Sequence, residues 1–511
     1  PHPLQSEVAL PMQTKFSRSL KRNLALLDEL LLLNATDDIV TREFHAIGQN
    51  CALFYVEGMS NGVQMAEHIL RPMLGNTQEA SGQAVIDFIC AHVIEAPEIK
   101  VVPDPKSAVQ ELMRGQCLLL VDTADQVIVV DMRSYVRRSI TTPQTESVVI
   151  GPHEAFNEVL RDNLTLLHKK LQSPDLVCEI HEIGSKLSTQ LALCYLNGIC
   201  PEQTINELKR RIDGSSVDYV LSGGMLEQLI EDDPFAPLPQ VASSERPDRA
   251  VSFLLEGQAV LLLDGSPLAL AMPMGIWHLF HAPDDSHMRW QYGSYMRLIR
   301  FIGAVISLLL PALFVSIVIY HPIALPMTLL TSIMQSRTVV PISLLGESVL
   351  LLTFFSLINE AGTRVPGLMG SSLGLVSTLI LGTAAVDAAL VSPLLIIVVA
   401  LSGLGGYALP DYSLSFAFRI AQMLLLLIGG MMGLVGVCMA LVLLVCCVAG
   451  MESLGMPYLA PSSPKRTHNP DLILRAPVFR QRLRAYLANP AHMDRAHGRM
   501  RRFDEEKEKT P

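Results

Sequence analysis

Phe301-Ile-Gly-Ala-Val-Ile-Ser-Leu-Leu-Leu-Pro-Ala-Leu-Phe-Val-Ser-Ile-Val-Ile-Tyr320 is a run of 20 residues without a formal charge. A helix of about 20 apolar residues crosses the roughly 30 Å hydrocarbon core of a bilayer. The run opens a block, Phe301 to Met451, that holds only seven charged residues: Arg337, Glu347, Glu360, Arg364, Asp387, Asp411 and Arg419. Further apolar stretches within it are Val339 to Ile358, Gly367 to Val386, Ala388 to Pro410 and Ile420 to Met451. Ile323 to Met334 is too short for a plain span. Four to six crossings are expected.

The rest of the 511-residue chain is polar and unevenly charged. Residues 1 to 300 carry 24 basic and 38 acidic residues, whereas residues 453 to 511 carry 12 basic and 6 acidic. With 50% hydrophobic and 17% charged residues, the chain is neither a wholly soluble enzyme nor disordered. Arg289, Arg297 and Arg300 flank the first span, and Lys465, Arg466, Arg475, Arg480, Arg482 and Arg484 follow the last. Basic flanks stay in the cytoplasm, so both soluble ends are expected there, with an even number of crossings. No signal peptide is expected from residues 1 to 40. Nine cysteines without a CxxC pair or zinc spacing suit a reduced compartment.

The polar region repeats itself. Ala52-Leu53-Phe54-Tyr55-Val56-Glu57-Gly58 recurs as Ala192-Leu193-Cys194-Tyr195-Leu196-Asn197-Gly198, and Gly115 to Asp122 recurs as Gly257 to Asp264. Nearly equal offsets argue for duplication. Each copy reads as strand, helix, variable segment, helix and strand–turn–strand, an α/β class. The expected organisation is an N-terminal segment (1–41), a first α/β unit (42–142), a second with a helical insert (143–290), a helical membrane domain (291–452) and a basic tail (453–511). The insert is Glu154 to Leu171, and Asp233 to Pro239 reads as an extended connector.

Chemistry is sparse. The chain has no GxxxxGK[ST] loop, HExxH helix or GxSxG elbow, so no catalytic site, cofactor, metal or nucleic-acid partner is expected. His278, His281 and His287 stand among Trp277, Phe280, Trp290, Tyr292 and Tyr295, a composition that suits an interfacial segment better than a metal site. The membrane acids draw more interest, because a charge at bilayer depth is costly and marks function by default. Glu347 and Asp387 are therefore candidates for an ion path. Glu360 and Arg364, at i,i+4 spacing, can pair along one helix. Glu245, Arg246 and Asp248 are expected to form a structural Arg–carboxylate network.

Several motifs resemble a known family: Gly151-Pro152-His153-Glu154-Ala155-Phe156, Ser244-Glu245-Arg246-Pro247-Asp248, Asn359-Glu360-Ala361-Gly362-Thr363-Arg364-Val365-Pro366, Pro410-Asp411-Tyr412-Ser413 and Pro457-Tyr458-Leu459-Ala460-Pro461. Together they resemble the GerA-type spore germination protein, the A subunit of nutrient germinant receptors, in order over roughly residues 42 to 480. His153, Ala155 and Ser244 depart from that family's pattern, and His168-Lys169-Lys170 stands in place of arginines. The paralogous stage V sporulation protein AF shares most of these motifs and is an alternative. The resemblance implies a multispan protein of the spore inner membrane, acting with a transporter-like B subunit and a lipoprotein C subunit. It further implies a homo-oligomeric ion channel opened by nutrient, the alternative being a non-conducting scaffold or signalling subunit.

Overall fold

The computed structural model describes residues 15–76, 78, 83–133, 143, 146, 148, 150–364, 382–465, 471–472, 474–481, 483–484, 490 and 494. The chain forms two compact units, one built mainly from residues up to 231 and 243–273, the other from 232–242 and 274–487.

In the first unit the apolar runs become two five-stranded sheets of one topology. Strands β1 (Ile39–Ala46), β2 (Gln49–Val56), β3 (Ile99–Val102), β4 (Cys117–Val121) and β5 (Val127–Val130) lie in the order β1-β2-β4-β5-β3. Strands β6 (Leu176–Ile183), β7 (Thr189–Leu196), β8 (Ala242–Ser244), β9 (Ala259–Leu263) and β10 (Ala269–Met272) lie in the order β6-β7-β9-β10-β8. Leu53 faces Leu119 across β2 and β4, and Leu193 faces Leu261 across β7 and β9. The matched motifs therefore occupy equivalent places.

Strands β4, β5, β9 and β10 are apolar and buried at every position because both sheet faces are covered there. Alternation sends Cys51 and Leu53 to one face, where they meet Met65, Ile69, Ile86 and Ile89. Ala52 and Phe54 turn to the other, against helices α1 (Leu20–Leu31) and α2 (Pro105–Met113) through Leu27, Leu31, Ala108 and Leu112.

The duplication extends further than the sequence reading placed it. In α1, Leu20, Asn23, Leu27 and Leu31 recur at helical spacing and are buried. Helix α3 (Leu160–Lys170) buries Leu160, Asn163, Leu164 and Leu167 in the same way. Asn23 donates to Ser17 O and accepts from Ser17 N, just as Asn163 donates to Asn157 O and accepts from Asn157 N. Helix α3 is thus the second copy's counterpart of α1 rather than an insert.

Neither helix has a side-chain cap from its own N-cap residue, and an aspartate one residue beyond β4 or β9 supplies it. Leu20 N donates to Asp122 Oδ1 at 3.0 Å, and Leu160 N donates to Asp264 Oδ1 at 3.0 Å. Asp122→Ala and Asp264→Ala should each lower stability by about 1 kcal/mol, the usual cost of a lost cap. Thermal melts of the purified chain would read this, and an unchanged midpoint in both variants would refute the capping role.

In the second unit, helices α4 (Trp290–Tyr320), α5 (Met327–Arg337), α6 (Leu344–Arg364), α7 (Pro393–Tyr407) and α8 (Tyr412–Gly450) replace the apolar stretches. Among the described residues, three helices are long and apolar enough to cross a membrane: Trp290–Tyr320, Leu344–Gly362 and Tyr412–Gly450. Helix α7 has 15 residues and α5 has 11. Most of the expected stretch Gly367 to Val386 lies outside the described residues. Helix α4 starts eleven residues ahead of the charge-free run and carries Arg297 and Arg300 within it.

Glycines set the packing. A Cβ on Gly405 would collide with Gly303 O, so α4 and α7 meet backbone to backbone. Helix α8 breaks at Gly433, whose φ of 68° and ψ of −156° suit only glycine. Tyr320 packs against it and donates its hydroxyl to Met431 O at 2.7 Å and Gly430 O at 3.0 Å, carbonyls freed by the break.

Candidate functional site

The two candidate ion-path acids come to one connection in the helical unit. Residues 382–387 are helical, and Asp387 is the exposed last residue of that turn of helix. The chain then turns through Ala388 to Val391, with Ala389 in the left-handed region at φ 53°. Ser392 follows as the N-cap of α7, and Pro393 sits at the first helical position, where no N–H is needed. Glu347, in the first turn of α6, is fully buried and accepts the Ser392 N–H through Oε1. A carboxylate at a helix N-terminus is favoured by the exposed amides there.

The other oxygen is less well held. Arg337 Nε, at the end of α5, stands 3.6 Å from Glu347 Oε2, an ion-pair distance but too long for a hydrogen bond. No hydrogen bond reaches either atom. Around them lie Leu344, Leu351, Val391 and Leu395. Glu347 is therefore the acid buried within the described part of the bundle, half satisfied by backbone and half by a distant charge.

Glu360 lies exposed further along α6, and the Arg364 side chain lies outside the described residues. A cavity of about 30 Å³ borders α6, lined by Leu352, Phe355, Ser307, Ser402, Arg419 and Gln422. Gln422 Nε2 donates to Ser402 Oγ at 2.5 Å, and Ser402 Oγ donates to Ser307 O at 3.1 Å. The Arg419 guanidinium lies 5.7 Å from the Tyr407 ring centre and 5.8 Å from that of Phe416, a cation–π arrangement.

The expected Arg–carboxylate network lies in the α/β unit. Arg246 is fully buried at the N-cap of Pro247–Leu255, the second lobe's counterpart of helix α2. It forks onto Asp248 through Nε at 3.1 Å and Nη2 at 2.9 Å. Its Nη1 reaches Glu146 O at 3.4 Å, and its backbone N donates to Ser244 Oγ, which itself donates to Glu146 Oε2 at 2.5 Å. Arg249 pairs with the same Glu146. Glu245 contributes its backbone carbonyl, which accepts from Phe156 N at 2.8 Å. Glu146, which sequence reasoning did not single out, belongs to the segment joining the two copies.

A second charge node also escaped the sequence. Arg297 and Arg300, read there only as flanking charges, lie one turn apart on α4. Arg297 Nε donates to the buried Asp285 Oδ2 at 3.0 Å, and Arg300 Nη1 donates to the same oxygen at 2.7 Å. Arg297 Nη1 also reaches Asp471 Oδ1 at 2.6 Å, and Arg475 binds the carbonyls of Asp285, Ser286 and Met288. The tail is thereby fastened to the start of the first long helix. The i,i+3 spacing of the two arginines was the available signal. Their acceptors are distant in sequence.

The third cluster joins the two α/β lobes. Asp38, just before β1, meets His168 of α3, and Cys178 of β6 completes a buried set whose ligand atoms all lie within 4.8 Å of one another. Thr36 Oγ1 donates to Asp38 Oδ1 at 2.5 Å. Burial opposes the imidazolium charge, but the Asp38 carboxylate outweighs it and pushes His168 up to about 10. Burial likewise works against the Asp38 charge, and the His168 and Thr36 hydrogen bonds overcome it, holding the carboxyl below its usual range. The Cys178 thiol is pushed up by its hydrogen bond to Cys194 and by burial.

Comparison with known proteins follows the same span. The model of the Bacillus/Clostridium GerA spore germination protein family matches residues 29–487. The chain is similar to spore germination protein B1 of Bacillus subtilis (strain 168), 32% identical over 90% of this chain and 95% of that one. It is also similar to the uncharacterized membrane protein YfkQ of the same organism, 30% identical over 90% of each. Among solved structures, the N-terminal domain of the A subunit of the Bacillus megaterium spore germinant receptor GerK3 aligns at 25% identity and a TM-score of 0.39, covering 51% of this chain and 96% of that one.

Proposed function

The chain belongs to the Bacillus/Clostridium GerA spore germination protein family, and from that premise we propose that it is the A subunit of a nutrient germinant receptor. The observation that carries this reading is the unbroken match over residues 29–487, which takes in both α/β lobes and the helical unit. In this reading the subunit sits in the spore inner membrane with its two soluble ends in the cytoplasm. It oligomerises there, works with a B subunit that senses nutrient and a lipoprotein C subunit, and conducts ions once nutrient binds.

The ion path passes Glu347 and Asp387. Symmetric copies turn one acid per chain into a ring, and rings of acidic side chains select cations. What supports this assignment is that Glu347 accepts from Ser392 at the end of the connection that Asp387 opens, and that Glu347 Oε2 is buried without a hydrogen bond. A second reading, a non-conducting scaffold, is favoured by the Arg337 guanidinium beside that same oxygen. Purified chain in liposomes, with and without B and C subunits, separates them. The channel reading expects cation flux that rises with nutrient when the partners are present. No flux from the assembled complex would overturn it.

A further inference from the structure

We propose that Asp38, His168 and Cys178, with Cys194 as fourth donor, form a structural zinc site that clamps the two α/β lobes together. The inference is independent of the receptor reading, because every donor lies in the α/β unit.

Sequence spacing hides this site. The donors come from both copies, and no two of them share a loop. Asp38 belongs to the first lobe, whereas His168, Cys178 and Cys194 belong to the second. Cys178 and Cys194 face each other across the β6–β7 ladder, and neither thiol is exposed. The first lobe's donor is held rigidly against that ladder. Asp37 N donates to Cys178 O at 3.0 Å, Cys178 N donates to Thr36 Oγ1 at 3.3 Å, and Ile180 N donates to Asp37 Oδ2 at 2.8 Å. Residues 36–38 thus lie along β6 with their positions fixed by backbone contacts on both sides.

The donor chemistry selects the ion. Zinc binds sulfur at about 2.3 Å and imidazole nitrogen or carboxylate oxygen at about 2.0–2.2 Å, so tetrahedral ligand atoms stand roughly 3.3–3.8 Å apart. The ligand atoms of Asp38, His168 and Cys178 already lie within 4.8 Å of one another, close to the separation that one ion requires. Thiolate and imidazole together favour zinc over magnesium or calcium, which prefer an all-oxygen set. One carboxylate and two thiolates bring three negative charges to the divalent ion, the same net charge as the Cys3His set of structural zinc sites. On binding, the Cys178 and Cys194 thiols and the His168 imidazolium each release a proton, and no electron moves. With four protein donors and no exposure, the site has no position open to substrate, which makes it structural.

A plain Asp38–His168 ion pair is the competing account, and His168→Arg separates the two. Arginine keeps a positive charge opposite Asp38 but cannot ligate zinc. The test uses the full-length chain, purified in detergent without chelator, with metal content measured by mass spectrometry. About one zinc per chain is expected for the wild type, and a loss of at least about tenfold in His168→Arg and Cys178→Ser. Cys438→Ser, in the last long helix, should leave the stoichiometry unchanged. Cobalt(II) loaded in place of zinc should show a thiolate-to-metal charge-transfer band that Cys178→Ser removes. The proposal is overturned if the folded wild type takes up neither metal, or if His168→Arg retains the zinc.

Discussion

Replacing Arg246 by alanine is expected to cost about 3–5 kcal/mol and to leave little folded protein, because it strands buried partners of an ion-pair network. Arg246 has no exposed surface, and its fork onto Asp248 joins the start of the helix Pro247–Leu255 to Glu146 in the connecting segment. Removing it leaves the Glu146 carbonyl and the Asp248 carboxylate short of donors, and also opens a cavity the size of the side chain. Arg246→Lys is the sharper test of the pairing itself. Lysine keeps the charge but offers a point donor where arginine offers a planar fork, so an intermediate loss is expected. Thermal unfolding and the level of the protein in spores would read both variants. An Arg246→Lys variant with unchanged midpoint and unchanged level would remove the network's structural role. The double variant Arg246→Met with Asp248→Leu should recover much of the loss, since an apolar pair can replace a buried ion pair at little cost.

The duplicated fold was legible in the sequence where strands are apolar throughout. Leu53 and Leu193 betray their equivalence because a fully covered strand has no polar positions to vary. The start of each copy was overlooked although its signal is present: Phe16, Leu20, Asn23, Leu24 and Leu27 recur as Phe156, Leu160, Asn163, Leu164 and Leu167, at the same offset as Leu53 and Leu193. The polar positions between them differ, because amphipathic helices tolerate substitution on their wet face. The charge clusters divide along the same line. Arg246 and Asp248 are two residues apart, so local spacing announced them. Glu146, the Asp285 node and the Asp38–His168–Cys178 set assemble from segments 12 to 190 residues apart, and nothing in a linear pattern fixes such distances. In the helical unit, composition located the apolar stretches, but Gly433 breaks a helix that charge counting reads as continuous.

Glu347→Gln is expected to leave the protein assembled while slowing cation release from germinating spores by about tenfold, the rate factor of roughly 1.4 kcal/mol. Assembly should survive because the glutamine carbonyl can still accept the Ser392 N–H that caps α7, and the volume is unchanged. Only the charge is lost, together with its attraction for Arg337 at 3.6 Å and for a passing cation. If Glu347 serves only to hold the bundle, the outcome differs in kind. Neutralising it would strand Arg337 at bilayer depth, the protein level would fall, and the double variant with Arg337→Gln would restore it. On the ion path, by contrast, Arg337→Gln alone should preserve assembly and speed release, because it frees the acid from its competing partner. Protein level by immunoblot and cation efflux by ion-selective electrode, measured on the same spores, give the two readouts. Normal levels with unchanged efflux in Glu347→Gln would sink the ion-path assignment.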